Sequence, residues 1–345
     1  VAGQCLYLTE KEDLTSFDMT LKQAFRKSRA LFGSPKPLIL YHKPTARCDC
    51  RCRFCNFWVG QPSEDDVLPT PTILKLLDSA YEAGMVEYTV FGGEPLLVKA
   101  LSIWFQHAKE LGFRNTICTS GYRLADRSQE LGPYTTLLLL SLEAIGEKHD
   151  KLRGTPGLFE RVTNGLDQFK RHSRAQIHLW SQMNKENQDQ VEGLAEFAKA
   201  NGIGVAFFPT ARFPGYNDSL VLSPEERRDV FERAVALKGK GFPVKNSKYA
   251  LRLMATGQPF QCNLPRLSVI VSADGKIFPC DPGFSLPFES YGSLEDVDLK
   301  ELPSSEIYRR NYKHLSGCNN CLLPCVGATC DSLWKQAFLR LPFVG

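Results

Sequence analysis

The chemistry in this chain of 345 residues is concentrated in its twelve cysteines. Four of them, Cys48, Cys50, Cys52 and Cys55, crowd into RCDCRCRFCNFW. Six more follow far downstream, at Cys262, Cys280, Cys318, Cys321, Cys325 and Cys330, and only Cys5 and Cys118 stand alone. A disulfide framework spreads its cysteines through a small fold; here two clusters flank a long cysteine-poor body, which reads as two metal regions. Thiolates suit both zinc and iron–sulfur clusters, and spacings of two and three residues fit either, so the loop alone leaves both open.

The elements that must position this loop follow from hydrophobic patterning. LILYH (38–42) precedes the cysteines, and EYTVF (87–91), NTICTS (115–120), TLLLLSL (136–142), QIHLWSQM (176–183) and GVAFFPT (204–210) are further strand-sized apolar runs. Helical patterns alternate with them, as in PTPTILKLLDSAYEAG (69–84), with Pro at its start and Gly past its end. Near-continuous apolar strands, each followed by a helix, predict a parallel sheet covered by helices, built from six βα units. After about residue 245 the pattern changes to short strands and turns, with ADG in LSVIVSADGKIFPCD (267–281) as a hairpin signal. In this fold, FGGEPLL (91–97) ends the second strand, TSG (119–121) the third and LSLEA (140–144) the fourth. Gly92 and Gly93 allow close backbone approach to a ligand, and Glu94 offers an acceptor to an ammonium.

Taking Cys48, Cys52 and Cys55 gives C-x3-C-x2-C directly after the first strand, with GGE at the end of the second. This pair of motifs resembles the radical S-adenosylmethionine (SAM) superfamily. The resemblance implies an α/β fold, a partial (β/α)6 TIM-type barrel with a C-terminal cysteine-rich auxiliary-cluster extension. It divides the chain into an N-terminal helical lead-in (1–37), the barrel (38–245) and the extension (246–345). It implies a [4Fe–4S] cluster held by Cys48, Cys52 and Cys55, its fourth iron open to the amino and carboxylate groups of SAM. Cys50 falls outside the spacing and is expected to pack or face solvent. Phe54 is implied near the adenine; Gly92, Gly93 and Glu94 at the amino group; and Ser120 and Ser141 at the carboxylate and ribose. Glu143 replaces the Asp frequent in the family, which leaves its role open. Arg153, in KHDKLRG (148–154), is a candidate for the SAM carboxylate, with a surface salt bridge as the plain alternative.

The downstream cysteines resemble the SPASM and twitch extensions of that superfamily, which hold auxiliary clusters. A single auxiliary cluster would use Cys262, Cys280, Cys318 and Cys321; a second would draw on Cys325 and Cys330, and structural zinc is a third reading. Cys5 and Cys118 are expected as buried thiols. The implied activity is reductive cleavage of SAM to a 5′-deoxyadenosyl radical that abstracts hydrogen from an unactivated C–H bond, with flavodoxin or ferredoxin as electron donor.

A small, apolar metabolite of lipid or tetrapyrrole type is the favoured substrate, since only 47 residues precede Cys48, fewer than the leader-binding domain of many peptide modifiers. A radical SAM enzyme acting on a peptide or protein is the alternative, and a non-catalytic zinc protein a remote one. FDMTLKQAFRKSRALFG, around residues 18–33, is amphipathic and basic; packing across the barrel end is expected, with peripheral membrane contact as the other option. His42 and Tyr41 lie beside the loop, as substrate contacts or as a packed Tyr–His pair. Net charge is +4 without a basic stripe, which argues against nucleic acid. VAGQCLYLTEKEDL lacks the apolar core of a secretory signal, so a cytoplasmic location is expected.

Overall fold

In the computed structural model, residues 36–59, 67–258, 260, 262, 264–282, 288–315 and 318 are described. The amphipathic segment at 18–33, Cys5, Cys321, Cys325, Cys330 and the apolar stretch SLWKQAFLRLPF lie outside them.

Six strands follow one another in chain order: β1 (Ile39–His42), β2 (Glu87–Val90), β3 (Arg114–Thr119), β4 (Leu137–Ser141), β5 (Gln176–Met183) and β6 (Gly204–Pro209). Each pairs in parallel with its neighbour. Helices α1 (Thr70–Glu82), α2 (Leu101–Leu111), α3 (Leu124–Leu131), α4 (Glu147–Arg153), α5 (Leu158–His172), α6 (Val191–Ala200) and α7 (Pro224–Gly239) connect or follow them. Parallel pairing requires such crossovers, and the sheet stays open, with β6 at one edge.

The helices form where the sequence places apolar residues every three or four positions. In α1, Ile73, Leu76, Leu77 and Ala80 are buried; in α2, Leu101, Trp104, Phe105 and Ala108. Helix α2 ends at Gly112, whose φ of 96° is the left-handed stop that glycine takes readily. One face of the sheet, with Leu40, Tyr88, Val90, Ile117, Leu138, Leu140, Leu179, Val205 and Phe207, is buried against these helices. The other face carries Tyr41, Thr89, Thr116, Cys118, Leu139, Ser141, His178, Trp180, Ala206 and Phe208, in register across the strands. This second face is the barrel interior, more polar and less completely covered, and it leads up to the site.

The segment after residue 245 continues the same sheet. Helix α8 (Lys248–Thr256) is followed by β7 (Ser268–Val271), which pairs in parallel with β1 on the side away from β2. Strand β8 (Lys276–Phe278) returns antiparallel through the expected turn, with Gly275 at φ 80°, and β9 (Gly292–Ser293) adds to its edge. Helix α9 (Glu306–Leu315) closes the described extension. Strand β1, which leads into the cysteine loop, is thus flanked by the GGE strand on one side and by β7, the first strand of the hairpin that runs on to Cys280, on the other.

Candidate active site

The loop that follows β1 is anchored by the backbones around it. Gly93 N donates to Thr45 O at 3.1 Å and Glu94 N to Arg47 O at 2.7 Å, so the GGE turn lies against the start of the loop. A Cβ at position 93 would sit 2.1 Å from Arg47 O, so only glycine fits there. Further along, Arg51 N donates to Arg153 O at 2.9 Å and Arg53 N to Leu152 O at 3.1 Å, tying the loop to the end of α4. Its last part is held by the segment after β6: Asn217 Nδ2 donates to Phe54 O and Tyr216 Oη to Cys55 O, each at 3.1 Å. The loop is therefore fixed over the C-terminal ends of the strands, where open α/β folds bind ligands.

None of the four cysteines of the loop forms a disulfide with a described residue. Cys50 is fully buried, Cys52 and Phe54 nearly so, and Cys48 and Cys55 are half-buried. Of the two expectations for Cys50, packing holds and solvent exposure does not: it is fully buried in the main core cluster, its sulfur hydrogen-bonded to Cys48 and Cys52, with Cys50 N donating to Cys48 Sγ at 3.5 Å. Those two thiols hold Cys50 well below the usual thiol range, and the same bonds push Cys48 and Cys52 up. Donor atoms of Cys48, Asp49 and Cys50 all lie within 4.8 Å of one another. A buried set of soft donors, beside a glycine turn with no room for a side chain, fits a thiolate-bound cluster.

Glu94 is buried, its Oε1 accepting from Leu96 N at 3.0 Å and Thr119 Oγ1 at 2.6 Å, and its Oε2 from Ser120 N at 2.8 Å. Burial raises its pKa against these bonds. Ser120 Oγ lies 3.4 Å from Asp49 Oδ1, and Arg123 Nε is 3.3 Å from Asp49 Oδ2. Burial first, and then the neighbouring Glu94 and Cys50, push Asp49 up to about 7. The elements thus bring Glu94 and Ser120 together with the loop. Ser141 is buried at the end of β4, on the interior face.

Arg153 does not form the surface salt bridge held as its alternative. It is buried, and its Nε and Nη2 donate to Glu143 Oε2 and Oε1, each at 2.7 Å, while its guanidinium lies 5.6 Å from the centre of the Phe54 ring. Glu143, fully buried, is held low by Arg153 although burial alone would raise it. This assigns the residue whose role the sequence left open: it fixes the guanidinium behind the thiols. His42 is likewise corrected as a substrate contact, and as the partner of Tyr41. Period-two alternation puts it on the helix face, where Nδ1 lies 2.8 Å from Tyr88 Oη and the ring packs on Trp104. Tyr41 faces the interior and packs edge-on against Phe91.

Sequence reasoning missed Lys43 and Asp281. Lys43 Nζ is 3.0 Å from Asp281 Oδ1 and 4.1 Å above the Phe57 ring, so one side chain joins the first loop to the residue after Cys280. Their signal was positional: Lys43 follows β1 and Asp281 follows a cysteine. In the extension Cys262, Cys280 and Cys318 share one small apolar cluster with Leu264 and Leu315, flanked by Tyr41 and Phe288. Cys118 is half-buried on the interior face, less enclosed than expected.

An open parallel α/β barrel whose first loop gathers buried thiols beside a glycine turn defines a thiolate–metal protein of the half-barrel type. Residues 42–198 match the family model described as the Radical SAM superfamily. The chain is similar to Fe-coproporphyrin III synthase of Methanosarcina barkeri (strain Fusaro / DSM 804), 27% identical over 221 residues, 61% of this chain and 54% of that protein. The chain thus spans about half the length of that relative. It is 23% identical over 291 residues to a PqqA peptide cyclase of Ruegeria pomeroyi (strain ATCC 700808 / DSM 15171 / DSS-3), covering 78% of this chain and 74% of the other. Streptococcus suis SuiB bound to the precursor peptide SuiA shares the fold, with a TM-score of 0.65 at 17% identity, covering 92% of this chain and 79% of that one. Among the described residues no helix is long and apolar enough to cross a membrane.

Proposed function

We propose that the protein is a radical SAM enzyme that cleaves SAM reductively and removes hydrogen from an unactivated C–H bond of an apolar, tetrapyrrole-like small molecule. The reading is carried by one observation: the GGE turn is hydrogen-bonded, through Gly93 N and Glu94 N, to the backbone carbonyls of Thr45 and Arg47 that lead into the cysteine loop. Cys48, Cys52 and Cys55 would hold a [4Fe–4S] cluster, which supplies the electron that breaks SAM into methionine and a 5′-deoxyadenosyl radical. Glu94 Oε2 keeps acceptor capacity for an ammonium after its bond from Ser120 N. Gly92 and Gly93 keep the backbone close, Phe54 supplies an apolar wall for the adenine, and Ser120 and Ser141 supply hydroxyls to the carboxylate and ribose. Arg153, saturated on two nitrogens by Glu143, contributes positive charge to the site and fixes the loop through its carbonyl.

Support for the substrate class comes from the ring-lined mouth: Trp180 and Phe208 lie 4.4 Å apart on the interior face, Tyr41 and Phe91 5.6 Å, and Phe57 and Phe213 6.1 Å. Flat π-faces suit a flat apolar substrate, and the relative named Fe-coproporphyrin III synthase points the same way. The relatives named PqqA peptide cyclase, and SuiB with its peptide, favour a peptide as the second reading. Cys262, Cys280 and Cys318, with Cys321, would hold an auxiliary cluster, with flavodoxin or ferredoxin as donor to the protein and Cys325 and Cys330 as candidates for a second cluster. A cytoplasmic enzyme, reaching a membrane only peripherally, fits this reading.

The test is anaerobic reconstitution with iron and sulfide, then SAM and dithionite, with 5′-deoxyadenosine measured by mass spectrometry. Cleavage that rises with an added metalloporphyrin or porphyrin supports the proposal. Stimulation by a peptide encoded beside the gene instead selects the second reading, and absence of 5′-deoxyadenosine refutes both.

A further inference from the structure

The C-x3-C-x2-C spacing uses three of the loop's four cysteines, yet the fourth is the most buried and the most central of them. Cys50 has no exposed surface, its sulfur is hydrogen-bonded to both Cys48 and Cys52, and the Thr155 hydroxyl also bonds it. Although Cys50 is part of the main core cluster, its sulfur also meets other sulfurs and the cationic end of α4, where Arg153 is held by Glu143. Cys48, Asp49 and Cys50 form one group of donors within 4.8 Å, and Asp49 reaches Ser120 Oγ beside Glu94.

We propose that Cys50 is a displaceable fourth thiolate that caps the open iron of the SAM-binding cluster until SAM arrives. The proposal rests on the SAM-binding cluster of the preceding section. Its chemistry is ligand exchange without electron transfer: the bond from iron to Cys50 sulfur breaks, and bonds from iron to the SAM amino nitrogen and carboxylate oxygen form. The thiolate keeps its electron pair and its charge, and the Arg153 guanidinium opposes that charge. The benefit is protection, because a cluster with an uncapped iron is the form that loses that iron on oxidation, and four thiolates close the corner.

Anaerobically loaded wild-type, Cys50→Ala and Cys50→Ser proteins are each treated with ferricyanide, with and without SAM, and the growth of the [3Fe–4S] signal is followed by EPR. Without SAM both variants should develop that signal about tenfold faster than wild type, the low end of what losing a supporting group costs in metal retention. With SAM the three proteins should converge, since SAM then occupies the iron in all of them. Only the SAM-sensitive part of the signal is scored, which leaves auxiliary clusters out. Equal rates without SAM overturn the cap. So does loss of about four irons per chain in both variants, while Cys48→Ser retains them, because Cys50 would then be a permanent ligand. A wild-type spectrum that SAM does not alter refutes the SAM-binding cluster itself, and the cap with it.

Discussion

Glu143→Gln is the substitution with the clearest energetic consequence away from the thiols. The change keeps the shape of the side chain and removes its charge. Arg153 then loses the only carboxylate bonded to it among the described residues, at 2.7 Å through both Nε and Nη2, in surroundings where Glu143 has no exposed surface. An amide also presents one donor edge, so at least one of those two bonds becomes a donor facing a donor. Breaking one partner of a buried pair leaves an uncompensated charge and costs about 3–5 kcal/mol. A loss of about 3 kcal/mol is roughly a hundredfold change in an opening equilibrium, at 1.4 kcal/mol per factor of ten.

That change should be concentrated where Arg153 holds the loop. Hydrogen exchange of the Arg51 and Arg53 amides, which donate to Arg153 O and Leu152 O, should accelerate about a hundredfold, whereas amides in the outer strand β6 should not. Arg153→Met combined with Glu143→Gln should recover much of the loss, because the buried charge is gone. If Glu143→Gln accelerates exchange at Arg51 and Arg53 less than about fivefold, corresponding to about 1 kcal/mol, the guanidinium has other compensation and the reasoning fails.

Gly93→Ala forces a Cβ to 2.1 Å from Arg47 O, and backbone on both sides cannot yield cheaply. It should cost about 1–3 kcal/mol and weaken SAM binding measured by calorimetry on the loaded protein; unchanged binding and thermal midpoint would contradict it. His42 is neutral in the folded chain because burial lowers it to about 3, and burial together with the nearby cations Lys245 and Arg114 lowers His178 to about 4. The unfolded chain binds these protons near pH 6.5, so stability present above that value falls as pH drops toward the folded values, by about 1.4 kcal/mol per pH unit per group. His42→Gln should flatten the slope between about pH 4 and 6 by one proton in urea titrations, and an unaltered slope would show that His42 does not remain neutral.

The parts legible from sequence are those whose physics is local. Runs such as LLLLS and GVAFFP announce buried parallel strands because both faces must be apolar, and each sits where expected. The nearness of the loop and the GGE turn was legible because each follows one of two neighbouring parallel strands. What was not legible depends on which side of the chain meets what. SVIV carries no mark of its partner, and its place beside β1 rather than in a separate appendage comes from long-range pairing. His42 illustrates a signal that was present and unused: with Leu40 buried at zero exposure on the helix face, alternation already assigns His42 to that face.

Cys50 and Arg153 share a deeper reason for escaping the sequence. Spacing can exclude a cysteine from a motif but gives no direction for its sulfur, and it can nominate an arginine without naming the carboxylate that claims it. Glu143, where the family often has Asp, is one methylene longer, and its reach lets both oxygens meet Arg153 ten residues on. The carbonyl of the same Arg153 accepts from Arg51 N, the residue after Cys50. The departure from the family pattern at Glu143 and the supernumerary cysteine at Cys50 are then linked through Arg153, whose side chain pairs with the acid and whose carbonyl holds the residue after Cys50. A variant that shortens the acid, Glu143→Asp, would perturb both together.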